Sequence, residues 1–226
     1  LLERSKIYVR GLGFFKDVTI DDKPSPEPGK ANIQVNVEEQ PTGELSFGAG
    51  FSSIQKFILD ISIAQSNFRG TGQDVRARIQ TGSYQKDIDF SFTEPHFMGR
   101  DIQAGFDLFK SSYNYSGVDY STDTTGAGLR LGYNLNGFSI LRLRYNIRRD
   151  QITYASSSSC DGLLYNCGAG TTSSVGYSLS FDRRNDFIAP TRGWMATIRQ
   201  DFAGLGGDVK YIRSEVEGHY YHGFKK

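Results

Sequence analysis

Residues able to do chemistry are few in this chain, and their spacing says more than their types. His96 lies in a proline-bearing stretch, and His219 and His222 lie near the end of the sequence. An imidazole acts as a base or metal ligand only beside partners at fixed spacing, and no GxSxG, HExxH or Walker-type pattern accompanies these three. Phe47-Gly48-Ala49-Gly50 and Gly204-Leu205-Gly206-Gly207 match phosphate loops only as glycine counts, because neither opens a helix. Within strands such glycines allow bending or weak pairing instead. No catalytic residue, cofactor or metal site is expected.

Cys160 and Cys167 bracket Asp161 to Asn166 inside a long glycine-bearing stretch. Two cysteines without a nearby histidine are too few for a zinc site. A disulfide formed in an oxidising compartment is the preferred reading, stabilising by roughly 2–3 kcal/mol through loop entropy. Two free thiols are the alternative.

The arginines are the most informative. Arg142, Arg144 and Arg148 share one parity of a segment whose other parity is Leu141, Leu143, Tyr145 and Ile147. A period of two makes a strand with one oily and one wet face. Near the midplane of a bilayer, arginines aimed at lipid would cost about 2–4 kcal/mol each, whereas in a watery bore they cost little and pair with acids. Arg76, Arg78 and Arg130 occupy the polar parity of their own segments, so all six are expected to face a lumen. A soluble β-sandwich with arginines on its wet face is the rival architecture. With 26 basic and 25 acidic residues the net charge is +1, which counts against a nucleic-acid partner.

Strands must position these residues, and the chain supplies a succession of them. Ile88, Phe90 and Phe92 alternate with Asp87, Asp89 and Ser91 up to the turn Thr93-Glu94-Pro95-His96; Ile102, Ala104, Phe106 and Leu108 then resume the alternation. Proline offers no ladder donor, so the pair reads as an antiparallel hairpin. Similar segments run from Leu45 to Phe51, Phe57 to Ile63, Val75 to Ile79, Ala127 to Leu135, Leu141 to Ile147, Val175 to Phe181 and Trp194 to Phe202, with a less regular one at Ile212, Val216, Tyr220 and Phe224. Many approach the ~9–11 residues that cross a bilayer obliquely. Connections alternate between ends; the longest, Ser111 to Thr125 and Asp150 to Ser173, share one end, as in outer-membrane barrels. The content of 13% aromatics and 26 glycines against six prolines also favours sheet. The negative mean hydropathy does not exclude a membrane barrel, whose strands spend half their residues on a polar interior.

Before Thr42 the pattern differs. Leu2, Val9 and Leu12 fall at helical spacing, Gly11 and Gly13 end the helix, and Val18 to Asp21 and Ile33 to Val37 are strands around a proline-rich loop, Lys23 to Lys30. Some forty residues make too small a core to stand alone, so they are expected to complete an α/β module whose start is absent. The sequence begins without methionine in mid-helix and has no signal-peptide layout.

Leu12 to Val18 (LGFFKDV), Thr42 to Ser53 (TGELSFGAGFSS), Asn67 to Gly72 (NFRGTG), Phe92 to Arg100 (FTEPHFMGR) and Asp182 to Trp194 (DRRNDFIAPTRGW) together resemble the BamA-type family of outer-membrane assembly factors. The resemblance implies that residues 1–40 are the C-terminal part of the last periplasmic POTRA domain. Residues 41–226 would be the N-terminal part of an antiparallel transmembrane β-barrel, roughly the first ten of about sixteen strands. Later strands and a loop with an Arg-Gly-Phe-type motif would belong to the remainder of a longer protein. The family folds and inserts β-barrel clients into the outer membrane with accessory lipoproteins and without nucleotide or metal. Its first strand closes a weak lateral seam, here Gly43, Glu44, Leu45, Ser46, Phe47, Gly48, Ala49, Gly50 and Phe51. Relatives of the TamA and two-partner-secretion types share versions of these motifs, so a secretion pore is the alternative function. An outer-membrane hydrolase using His96 or His219 is a more distant one.

Overall fold

The computed structural model describes residues 2–24, 31–53, 56–114, 120–154, 168–186 and 190–223. Helix α1 (Leu2–Gly11) ends where Gly13 takes a left-handed φ of 73° and its amide bonds back to the Arg10 carbonyl. Strand β1 (Phe15–Pro24) follows and pairs antiparallel with β2 (Ala31–Glu39). Both extend beyond the short apolar runs that marked them. Val18, on β1 beneath α1, is fully buried, and no other large hydrophobic residue among those described is.

The rest is one ten-stranded antiparallel sheet in which each strand pairs with its sequence neighbours. Its strands are β3 (Gly43–Ser52), β4 (Lys56–Phe68), β5 (Gln73–Gly82), β6 (Gln85–Glu94), β7 (Ile102–Asn114), β8 (Tyr120–Asn136), β9 (Ser139–Tyr154), β10 (Gly168–Asp182), β11 (Arg192–Ala203) and β12 (Tyr211–His222). A single 3-10 turn, Phe97–Gly99, lies between β6 and β7.

Register carries the apolar parity of every strand onto one face. Phe47 faces Ile61 and Ile61 faces Ile79, which faces Ile88; Leu131 faces Leu143, and Leu179 faces Ile198, which faces Val216. Among the described residues no second layer covers this face: Leu45, Phe47 and Phe51 are 72%, 70% and 77% exposed. A sandwich would have sealed these side chains between two sheets, so that architecture does not apply.

Two stretches read as long loops are partly strand. The ladder of β7 and β8 continues to Asn114 opposite Ser121, and that of β8 and β9 to Tyr120 opposite Tyr154, whose rings lie 5.7 Å apart. Here the parity that was apolar turns polar, with Ser112, Asn114, Asp123, Gln151 and Thr153, so apolar alternation disappears while backbone pairing persists. At the opposite sheet end the connections run from two residues (137–138) to nine (183–191), and β12 is a regular strand up to His222. Phe224 lies outside the described residues, as do Cys160, Cys167 and most of the proline-rich loop.

Candidate functional site

The polar face of the sheet is a wall of arginines and carboxylates. Arg78 holds Asp60 with Nε at 2.8 Å and Nη2 at 2.6 Å; Arg76 pairs with Asp74 at 2.9 Å; Arg130 pairs with Asp107 at 2.6 Å. Arg144 grips Asp201 with contacts of 2.6 to 2.8 Å, and Arg148 pairs with Asp150 at 2.9 Å. Ion pairs with this much water are each worth only about 0–1 kcal/mol, so the wall gains shape and orientation from them more than stability.

Arg142 differs: it is exposed and makes no ion pair with another described residue. It opens onto a groove of about 430 Å³ lined also by Arg130, Arg144, Ser178, Arg199 and Glu217. Thus the six arginines share one face, and the structure adds two that the sequence reading passed over. Arg199 and Arg213 converge on Glu215 at 3.3 and 3.4 Å. Both lie on the polar parity of β11 and β12, which was the signal available.

Strand β3 differs from this wall. Leu45, Phe47, Ala49 and Phe51 continue the apolar face opposite Ile63, Ile61, Leu59 and Phe57. Its polar parity is Glu44, Ser46, Gly48, Gly50 and Ser52, and Glu44 accepts a bond of 2.9 Å from Ser46 of the same strand. Gly43 begins the strand opposite Gln65. In sheet order β3 and β12 are the edge strands.

Three sequence stretches behind the resemblance prove to be devices of the short-turn end. Asn67, at φ 75°, accepts from the Gly72 amide at 2.8 Å; Glu94 accepts from the His96 amide at 3.0 Å and the Gln73 side chain at 2.8 Å. Asn185 accepts from the amides of Thr191 and Arg192, and Arg184 pairs with Asp182 at 2.6 Å. The histidines stay apart: His96 is in a turn, His219 bonds Glu217 at 2.7 Å on β12, and His222 ends that strand. Among the described residues no group of three or more His, Cys, Asp or Glu is placed to hold a metal ion.

Comparison with known proteins agrees with this architecture. The outer membrane protein assembly factor BamA of Neorickettsia risticii is 26% identical over 94% of the chain, and that of Neisseria meningitidis serogroup B is 24% identical over 93%. The chain spans only 29% and 28% of those two proteins. The crystal structure of BamA from Haemophilus ducreyi lacking POTRA domains 1-3 superposes with a TM-score of 0.71 at 20% identity, covering 96% of this chain and 44% of that one. In such barrels the apolar face meets lipid and the polar face lines the lumen. The ten-stranded sheet is a wall of an outer-membrane β-barrel. Since residues 67–226 match the Omp85 superfamily domain, well over half its length, the chain belongs to the Omp85 superfamily.

Proposed function

We propose that this chain is the seam-bearing part of a factor that folds and inserts β-barrel clients into the outer membrane. Residues 41–226 form the N-terminal part of its barrel, and residues 1–40 the C-terminal part of the last POTRA domain, in the periplasm. The observation that carries the reading is the make-up of β3: apolar toward lipid, and toward the lumen only Glu44, three small residues (Ser46, Gly48 and Gly50) and, at the strand's end, Ser52. A strand so poor in polar-face cross-links is easily parted from a partner on its free side.

The physics follows from hydrocarbon as a solvent. An unpaired edge leaves backbone N–H and C=O groups unmet, at several kcal/mol each, and an incoming client strand relieves that cost by adding to the edge. The work needs no nucleotide, metal or covalent chemistry. Arg76, Arg78, Arg130, Arg142, Arg144 and Arg148 face the lumen, where the ion pairs of all but Arg142 keep the wall in shape while the seam moves. Accessory lipoproteins act as partners of the complete protein. The names of the relatives, assembly factors of the outer membrane, support this reading.

A disulfide between a cysteine placed in Gly43–Phe51 and one in the last strand of the complete barrel tests it. In proteoliposomes, the oxidised form is expected to stop inserting a β-barrel client, and reduction to restore insertion. Undiminished insertion by the locked form defeats the proposal.

A further inference from the structure

The apolar face carries few cations, and their placement is uneven. Among the described residues of the sheet, Lys86, Lys110, Arg149 and Arg192 are the lysines and arginines on it. Arg192 sits at the short-turn end opposite His222, whereas the other three gather toward the long-loop end on β6, β7 and β9. Lys110 faces Ile88 on one side and Thr125 on the other; Thr125 faces Arg149, and Lys86 stands one step beyond Ile88. With strands about 4.8 Å apart, Lys110 and Arg149 start roughly 10 Å from one another and their long side chains can converge.

We propose that Lys86, Lys110 and Arg149 form a binding tier for the phosphate groups of outer-leaflet lipid headgroups. Directly beneath them the same face is hydrocarbon-compatible: Ile79, Ile88, Leu108, Ala127 and Ile147. Above them it is polar, with Thr171 beside Arg149 and Asp123 one step farther out opposite Ser112 and Gln151. The tier therefore stands where acyl chains give way to headgroups, and its end of the sheet is the external one by the long-loop rule. None of the three cations forms an ion pair or side-chain hydrogen bond with another described residue, so their donors are available to an anion. A phosphate takes charge-assisted bonds from both guanidinium and ammonium groups. The inference goes beyond client insertion, since the tier lies on β6 to β9, away from β3.

The test uses the full-length protein in non-ionic detergent, with lipid A as the phosphorylated probe, its dephosphorylated form as control, and binding read by native mass spectrometry. Each cation near an anionic lipid surface contributes about fivefold, so the triple variant K86Q/K110Q/R149Q is expected to bind lipid A roughly a hundredfold more weakly. The charge-keeping K86R/K110R/R149K should bind as the unaltered protein does, and so should R192Q. Equal binding by the triple glutamine variant, or equal binding of the dephosphorylated lipid, overturns the proposal. Displacement of lipid A by millimolar inorganic phosphate overturns it as well, since the site would then take a free anion. Should the glutamine variant not fold, salt decides: raising ionic strength from about 0.05 to 0.5 M must weaken binding by the unaltered protein, and unchanged binding refutes the tier.

Discussion

Arg144 on β9 and Asp201 on β11 clasp each other across the strand that separates them. The guanidinium reaches both carboxylate oxygens over Gly176 of β10, which is register partner to both residues. A Cβ on Gly176 would collide with Asp201 Oδ1, and would lie 2.8 Å from the Gln200 carbonyl and 3.0 Å from Arg144 Nε. The glycine is thus the gap through which the ion pair closes. Gly176→Ala is expected to destabilise the barrel by about 1–3 kcal/mol, the usual range for overpacking. Urea unfolding in vesicles checks this. Adding Asp201→Ala should recover part of the loss, because the two sites share one contact.

The two faces should answer a new charge in opposite ways. Leu143 lies on the apolar face between Leu131 and Tyr177, while Ser91 lies on the polar face between Arg76 and Asp107. Leu143→Arg is expected to cost about 2–4 kcal/mol in the bilayer, whereas Ser91→Arg, beside a carboxylate, should stay within roughly 1 kcal/mol. Equal costs in the same vesicle unfolding assay would show that the faces had been assigned wrongly.

Outside the barrel strands, the small module carries one pH-sensitive contact. Arg10 Nη2 bonds Asp17 Oδ1 at 2.6 Å, and this bond, aided by the Val18 amide, holds the Asp17 carboxyl below its ordinary value. A depressed carboxylate favours the folded state above its unfolded pKa and loses that contribution as pH falls through the folded value. Asp17 is expected to titrate below the usual aspartate range by NMR, and Arg10→Ala should move it upward. Because the pair is half exposed, added salt should narrow the difference.

How much of this was legible beforehand follows from where each strand meets hydrocarbon. Leu141, Leu143, Tyr145 and Ile147 announced β9 because one face must be apolar there. Asp150 to Tyr154 did not, since beyond the oily band Gln151 and Thr153 take the apolar-face positions and the ladder leaves no mark in side-chain type. On β12 the pattern was blurred because Ser214 and Gly218 take apolar-face positions. Gln200 does the same on β11, accepting from the Tyr177 hydroxyl at 2.6 Å and donating to Ser214 at 3.1 Å, so the polar intrusion is internally bonded. The arginines were legible as a face, but not their partners. Arg144 and Asp201 are 57 residues apart, and only the register of two hairpins brings them together.

The glycines of β3 offer the sharpest handle on the seam. A Cβ at Gly50 would meet open space, and one at Gly48 would touch the Asp60 side chain at an ordinary 3.7 Å, so neither is required by crowding. Their effect must then lie in weak strand propensity, which a β-branched residue reverses by up to about 1 kcal/mol per site. Gly48→Thr with Gly50→Thr keeps the polar face hydrophilic and should raise amide-exchange protection along β3 and its partner β4. If seam opening gates insertion, the same variant should insert clients severalfold more slowly in proteoliposomes while its global unfolding midpoint rises or holds. Faster exchange in β3 would contradict the propensity argument, and unchanged insertion despite stronger protection would separate β3 pairing from the rate of assembly.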